Sequence, residues 1–256
     1  MAVIKLNGTR NMRDFSGIKN RDGKTLIPGK FIRSEKLNKI DDLAKSQLFS
    51  RYGLRKIVDL RTAYERDEKP DAEIAGVENL NIPIFSEEVM GITHGERTDG
   101  KDMLKHLPDM TELYRTMFKE PDCVRQFKKV FEVITGLGDD ESVLWHCTEG
   151  KDRCGLTSAL FMALMDFSYE EIEKDYLMTN LSAEKRAKTK AMMVRVLCRD
   201  KKAAATVRVI FTARKEYLKA AFDVLDDLYG GVDSFIENQL GISKEVKEQM
   251  KKKYLI

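Results

Sequence analysis

The 256 residues are 42% apolar and 34% charged, with 45 Lys and Arg against 42 Asp and Glu. That is enough apolar surface for the core of one large domain, and no run approaches the roughly 18 apolar residues of a transmembrane helix, which excludes an integral helical membrane protein. The balance hides an asymmetry: residues 182–219 hold 12 Lys and Arg against 3 Asp and Glu, so the remainder of the chain is acidic. Residues 1–6 are too short for a signal peptide. The expected compartment is therefore the cytoplasm, with export by a route that needs no such peptide left open. Cys123, Cys147, Cys154 and Cys198 show no Cys-x-x-Cys spacing, so neither a zinc site nor any other cofactor is expected.

Residues 1–37 are rich in turns, with short β-segments expected at 15–17 and 31–33. Asp41 can cap a helix over 42–52 that Gly53 stops, with Leu43, Leu48, Phe49 and Tyr52 as its inner face. Residues 56–60 read as a buried strand whose carboxyl end carries Asp59 and Arg61, where open α/β sheets place ligands. A short helix over 64–74, broken at Pro70, leads to a strand at 80–84. Weak periodicity and three glycines make 85–108 a loop over the site. Two helical pieces follow at 110–118 and 121–134, the second with Val124, Phe127, Val130, Phe131 and Ile134 on one face.

Residues 143–145 form a buried strand and 156–165 an apolar helix. Ser168 opens a capping box for a helix reaching about residue 179. The stretch 181–229 is helical, a break near 198–205 making it a hairpin, with Met192, Met193, Val194, Val196 and Leu197 assigned to the core. Gly230 and Gly231 end it, and helices over 232–240 and 243–254 close the chain. The order predicts one domain over 1–256, an α/β fold with a central, mostly parallel sheet flanked by helices.

Between the strand at 143–145 and the apolar helix, residues 146–155 read His-Cys-Thr-Glu-Gly-Lys-Asp-Arg-Cys-Gly. A strand, a tight turn and a helix N-terminus form an anion cradle, because backbone N–H groups converge there and the helix dipole adds positive charge. A cysteine at its start is favoured as thiolate. An arginine six positions on supplies a fork that matches phosphate. Cys147 is the expected nucleophile and Arg153 the expected clamp on non-bridging oxygens. Thr148, Glu149, Gly150 and Lys151 are expected to offer backbone N–H groups, with Lys151 as a second cation and His146 orienting the loop.

His-Cys-x5-Arg resembles the signature loop of the protein tyrosine phosphatase superfamily, and Gly-Lys-Asp-Arg is similar to that of its atypical bacterial branch. Asn11-Met12-Arg13-Asp14-Phe15-Ser16-Gly17, Arg33-Ser34-Glu35-Lys36-Leu37 and Asp59-Leu60-Arg61 resemble further motifs of that branch. The resemblance implies a tyrosine-phosphatase-like fold, a phosphocysteine intermediate and a helical lid within the domain at 182–229. It also implies activity on phosphotyrosine, with phosphoserine, phosphothreonine and phosphoinositides as further classes. Asp152 becomes the expected general acid and base, with Asp59, Asp99, Asp102 and Asp109 as rivals. Asp59 and Arg61 are otherwise supporting residues.

Two positions depart from the branch. Glu149 stands where a small residue is common and repels a dianion unless it points outward or pairs with a lysine. Cys154 stands where Thr or Ser is usual, as a weak donor or as a disulfide partner for Cys147. These keep a slow phospho-binding pseudophosphatase open beside the protein phosphatase and the phosphoinositide phosphatase. The expected partner is a phosphorylated protein or phosphoinositide substrate, with no nucleic acid, no stable membrane insertion, and a monomeric chain.

Overall fold

The computed structural model describes residues 2–85 and 109–256. Five strands form one sheet, β1 (Arg13–Asp14), β2 (Phe31–Glu35), β3 (Leu54–Asp59), β4 (Glu78–Asn81) and β5 (Ser142–Cys147), in the order β1-β2-β5-β3-β4. Only β1 runs antiparallel to its neighbour. A strand central in a parallel sheet is covered on both faces and reads as a nearly continuous apolar run, and every residue of β5 is buried. The register sets Glu35 of β2 opposite Cys147 and Asp59 of β3 opposite His146. Three strand ends therefore deliver Glu35, Asp59 and Cys147 to one carboxyl edge.

Helix α1 (Asp42–Ser50) covers one face with Ala44 and Leu48, over Ile32, Ile57 and Leu144. The other face takes α2 (Ala63–Glu68) at its edge and the larger core beneath α3 (Met110–Lys119), α4 (Pro121–Thr135), α5 (Asp152–Leu164) and α6 (Tyr169–Met178). Helix α5 is buried from Arg153 to Leu164, as an all-round apolar helix must be. The chain then forms a hairpin of α7 (Asn180–Leu197) and α8 (Lys201–Ile210), followed by α9 (Lys215–Tyr229), α10 (Val232–Asn238) and α11 (Lys244–Tyr254).

Several expectations shift. The first strand lies at Arg13–Asp14 rather than 15–17, because the Asp14 carboxylate accepts from the Ser16 amide and hydroxyl at 3.0 and 2.7 Å and bends the chain there. Strand β4 ends at Asn81, short of the expected 84, where Pro83 has no N–H for a ladder. Leu43 faces water, not the core. The helical stretch after residue 180 breaks twice, at 198–200 and 211–214. Helix α9 buries Tyr217, Leu218, Ala220, Ala221, Val224 and Leu225 in the main core. The separate unit is therefore the α7–α8 hairpin, narrower than 182–229. Met192, Met193, Val196 and Leu197 lie on its surface rather than in the core, because the side of α7 that packs inward carries Ala183 and Ala187. The expected loop at 85–108 falls, apart from residue 85, outside the described residues.

Candidate active site

The turn from β5 to α5 is shaped by its one glycine without room for a side chain. Gly150 has φ +64°, and a Cβ there would lie 2.6 Å from the Ser34 carbonyl oxygen. Its own carbonyl is turned back and held by Asn11 Nδ2 at 2.8 Å and Arg33 Nη2 at 2.9 Å. Lys151, the residue before α5, gives no side-chain cap, and among the described residues the first-turn amides of that helix have no side-chain acceptor. Cys147 stands at the start of this turn, 2% exposed.

Behind the loop, Asp175 of α6 binds two buried arginines. Arg13 Nε donates to Asp175 Oδ1 at 2.8 Å, and Arg33 Nη1 donates to Oδ2. Burial pushes the Asp175 carboxyl up, but the two guanidiniums outweigh it and hold it below the usual range. Two guanidiniums against one carboxylate leave net positive charge beneath the loop, which favours anions above it. Gly155 permits this packing: a Cβ there would lie 3.1 Å from the Tyr176 ring.

Arg153 opens α5 and meets Glu65 in a two-pronged pair, Nη1 to Oε2 at 2.5 Å and Nη2 to Oε1 at 2.7 Å. Nη1 also donates to the Leu60 carbonyl at 3.3 Å. Three of the five guanidinium N–H groups are thus engaged among the described residues. Nε–H and one hydrogen on Nη2 remain, a parallel pair along one edge that matches two phosphate oxygens. Glu65 is itself fixed: it forms the α2 capping box with Thr62 and accepts from the Thr148 hydroxyl. Burial pushes Glu65 up, but Arg153, Thr148 and the Thr62 amide bring it down to about 2. Arg153 is pulled down by burial, and Glu65, the thiolate form of Cys147 and Asp152 more than offset this, so it is raised.

The Asp152 carboxylate accepts from the Tyr114 hydroxyl at 2.6 Å, and that hydroxyl lies 2.7 Å from the Tyr176 hydroxyl. Burial, then Asp152, raises Tyr114 well above a phenol's ordinary value, so it stays a neutral donor. Lys151 Nζ lies 3.2 Å from Asp152 Oδ1 and donates to the Ile210 carbonyl at the end of α8. Among the rivals, Asp109 is committed as the N-cap of α3, accepting from the Thr111 and Glu112 amides. Asp99 and Asp102 lie outside the described residues.

Asp59 is held by Arg61, Nε to Oδ1 at 2.9 Å and Nη2 to Oδ2 at 2.7 Å, and the same Nη2 reaches Asp71 at 2.6 Å. His146, buried, has Nε2 3.1 Å from Asp71 Oδ2 and Nδ1 3.3 Å from the Cys147 carbonyl. Burial pulls the imidazole down, but Asp59 and Asp71 outweigh it and raise it. Asp59, Asp71 and His146 bring ligand-type atoms together, and Arg61 already bridges both carboxylates while His146 Nε2 faces Asp71, so the chain's own basic groups occupy the cluster.

Glu149 pairs with an arginine rather than a lysine: Arg186 of α7 lies 2.6 Å from it and 2.7 Å from Glu35. Its charge is thereby balanced by Arg186, which weakens the pseudophosphatase reading. Cys154 is fully buried with Sγ 3.7 Å from the Trp145 carbonyl, and burial pushes its thiol up to about 11. The structure thus brings Cys147, Thr148, Glu149, Gly150, Lys151, Asp152 and Arg153 onto one turn and sets His146, Asp59, Arg61 and Cys154 behind it. Glu65, Asp71, Tyr114, Asp175, Tyr176 and Arg186 complete the surroundings and were missed. Only Glu65 carried a signal, since Thr62-x-x-Glu65 is a capping-box pattern just past the β3 carboxyl end.

A profile of the tyrosine phosphatase family matches residues 4–256. The triple specificity protein phosphatase PtpB of Mycobacterium tuberculosis is 27% identical over 285 aligned positions, covering 98% of each chain. A tyrosine-protein phosphatase of Nostoc commune is 32% identical over 154 positions, 59% of this chain and 49% of its own. Among solved structures, the core catalytic domain of the PP-IP phosphatase SIW14 of S. cerevisiae shares 13% identity with a TM-score of 0.38, over 87% of this chain and 96% of that one. Because the family match runs from residue 4 to residue 256 rather than over the loop alone, the chain belongs to the tyrosine phosphatase family and is a phosphatase that hydrolyses protein phosphotyrosine.

Proposed function

We propose that the reaction runs through a phosphocysteine on Cys147. The thiolate attacks phosphorus in line; the S–P bond forms as the bond to the tyrosine oxygen breaks, and Asp152 gives that oxygen its proton. Asp152 then takes a proton from water, which attacks phosphorus and releases Cys147 and inorganic phosphate. The free Nε/Nη2 edge of Arg153 holds two non-bridging oxygens through both steps, and the α5 amides take the third. That edge, left open by a pair that fixes the rest of the fork on Glu65, is the observation that carries the reading.

The chain works without a cofactor, as a cytoplasmic monomer. The name of the PtpB relative supports phosphoserine and phosphothreonine as further substrates. The α7–α8 hairpin acts as the lid: Arg186 on Glu149 and Lys151 on the Ile210 carbonyl tie it to the loop, and Cys147 is 2% exposed. The test is acid quenching of Asp152→Asn during turnover of para-nitrophenyl phosphate, with mass spectrometry of the Cys147 peptide and EDTA present. A phosphate adduct on Cys147 and a stoichiometric burst are expected. Undiminished turnover by Cys147→Ser, or an adduct on another residue, refutes the mechanism.

A further inference from the structure

The far end of the α7–α8 hairpin carries a patch that hydrolysis does not use. Met192, Met193, Val196 and Leu197 are 56–75% exposed. At helical spacing, positions 192 and 196 share one stripe and 193 and 197 the next, so the four form one outward face. Arg195, Arg199, Lys201 and Lys202 are exposed around it, and none is ion-paired among the described residues. Residues 180–210 as a whole hold nine Lys and Arg against two Asp and Glu. An apolar patch rimmed by unpaired cations marks an interaction surface.

We propose that this tip docks on an anionic phospholipid bilayer. Charge complementarity selects the occupant. A second copy of the chain brings two basic tips together and is repelled. A folded acidic protein satisfies the cations but must supply a groove for a convex apolar end. A bilayer does both: its acyl boundary takes the Met, Val and Leu side chains and its headgroup phosphates take the four cations. Neither contribution anchors a protein alone; together they give reversible binding without a membrane-spanning segment. Arg186, which holds Glu149, lies ten residues before Val196, or about 15 Å along the helix axis. Docking therefore keeps the catalytic turn close to the surface, where phosphorylated groups carried on the membrane can reach it.

The test is co-sedimentation of the whole chain with phosphatidylcholine vesicles, with and without phosphatidylserine. Binding is expected only with phosphatidylserine and should fall by at least tenfold between about 0.1 and 1 M salt. Met192→Gln/Met193→Gln/Val196→Gln/Leu197→Gln is expected to keep hydrolysis of para-nitrophenyl phosphate and its circular dichroism while losing binding by tenfold or more. Leu197→Glu alone, at an exposed helix end, serves as the milder variant if the fourfold change misfolds. Equal binding to both vesicle types, no binding, retained binding by both variants, or dimerisation through this face overturns the proposal.

Discussion

Around Asp175, one buried carboxylate holds two buried guanidiniums; along α7, large side chains face water and alanines face the protein. The first region joins β1, β2 and α6 through Arg13 and Arg33 and fixes the Gly150 carbonyl. The second is held to the body by a few polar ties: Arg186, Lys151 and Asn180, whose side chain exchanges hydrogen bonds with the Ala213 backbone at 2.8 and 2.9 Å. Few buried apolar contacts mean a low free energy of local opening. The turn proposed to carry catalysis therefore sits on a scaffold that resists change and touches a hairpin that yields.

The sharpest break in the first region is Asp175→Asn. It leaves two buried guanidiniums facing each other without a counter-charge, and stability should fall by about 3–5 kcal/mol. Urea unfolding measures this; a loss under about 1 kcal/mol shows that the arginines are neutralised elsewhere. Activity should fall in parallel, because the Gly150 carbonyl loses its anchor.

Glu65→Gln is next and acts on geometry more than on stability. The fork of Arg153 loses its charged partner and its free edge drifts from the phosphate, so kcat should fall about 10–100-fold with a smaller change in KM. The pair also has a pH signature. Glu65 is depressed from 4.5 to about 2, so its stabilisation is present above pH 4.5 and is lost as pH falls toward 2. Thermal unfolding between those values should therefore decline more steeply with acid for the wild-type chain than for Glu65→Gln. Parallel curves would falsify the pairing.

Tyr114→Phe removes a hydroxyl shared by Asp152 and the Tyr176 hydroxyl. Losing the hydrogen bond to Asp152 costs about 1 kcal/mol, or roughly fivefold in rate. The effect should be larger for phosphoserine than for para-nitrophenyl phosphate, because an alkoxide needs the proton proposed to come from Asp152 more than a nitrophenolate does. An equal loss on both substrates assigns Tyr114 to packing alone.

The two regions also differed in how well they could be read. The run Val143–Trp145, the glycine turn and the apolar helix placed the central strand and Cys147, because one-dimensional patterns determine such local units. Contacts between distant segments were not legible. Asp175 lies in an ordinary amphipathic helix, and its role arises only when α6 packs against β1 and β2, whose arginines are 162 and 142 residues away in sequence. The exposure of Met192, Met193, Val196 and Leu197 was misread because apolar residues usually signal a core. In α7 the small residues, Ala183 and Ala187, make the close approach instead.

Arg186→Ala gives the smallest effect on turnover and separates cover from scaffold most cleanly. Its side chain bridges Glu35 and Glu149, and Arg10 stays 3.9 Å from the buried Glu35 when it is gone, so its removal should cost about 1–2 kcal/mol of stability. Two further consequences should diverge. The hairpin loses a tie, so Cys147 should react faster with iodoacetamide. Glu149 loses its counter-charge at the mouth of the turn and should repel a phosphate dianion, raising KM a few-fold while kcat holds. Adding Glu149→Gln should restore KM and leave labelling fast. A labelling rate equal to that of the wild-type chain means the hairpin does not control access to the sulfur, and the contrast between a yielding cover and a resistant scaffold then fails at its weaker end.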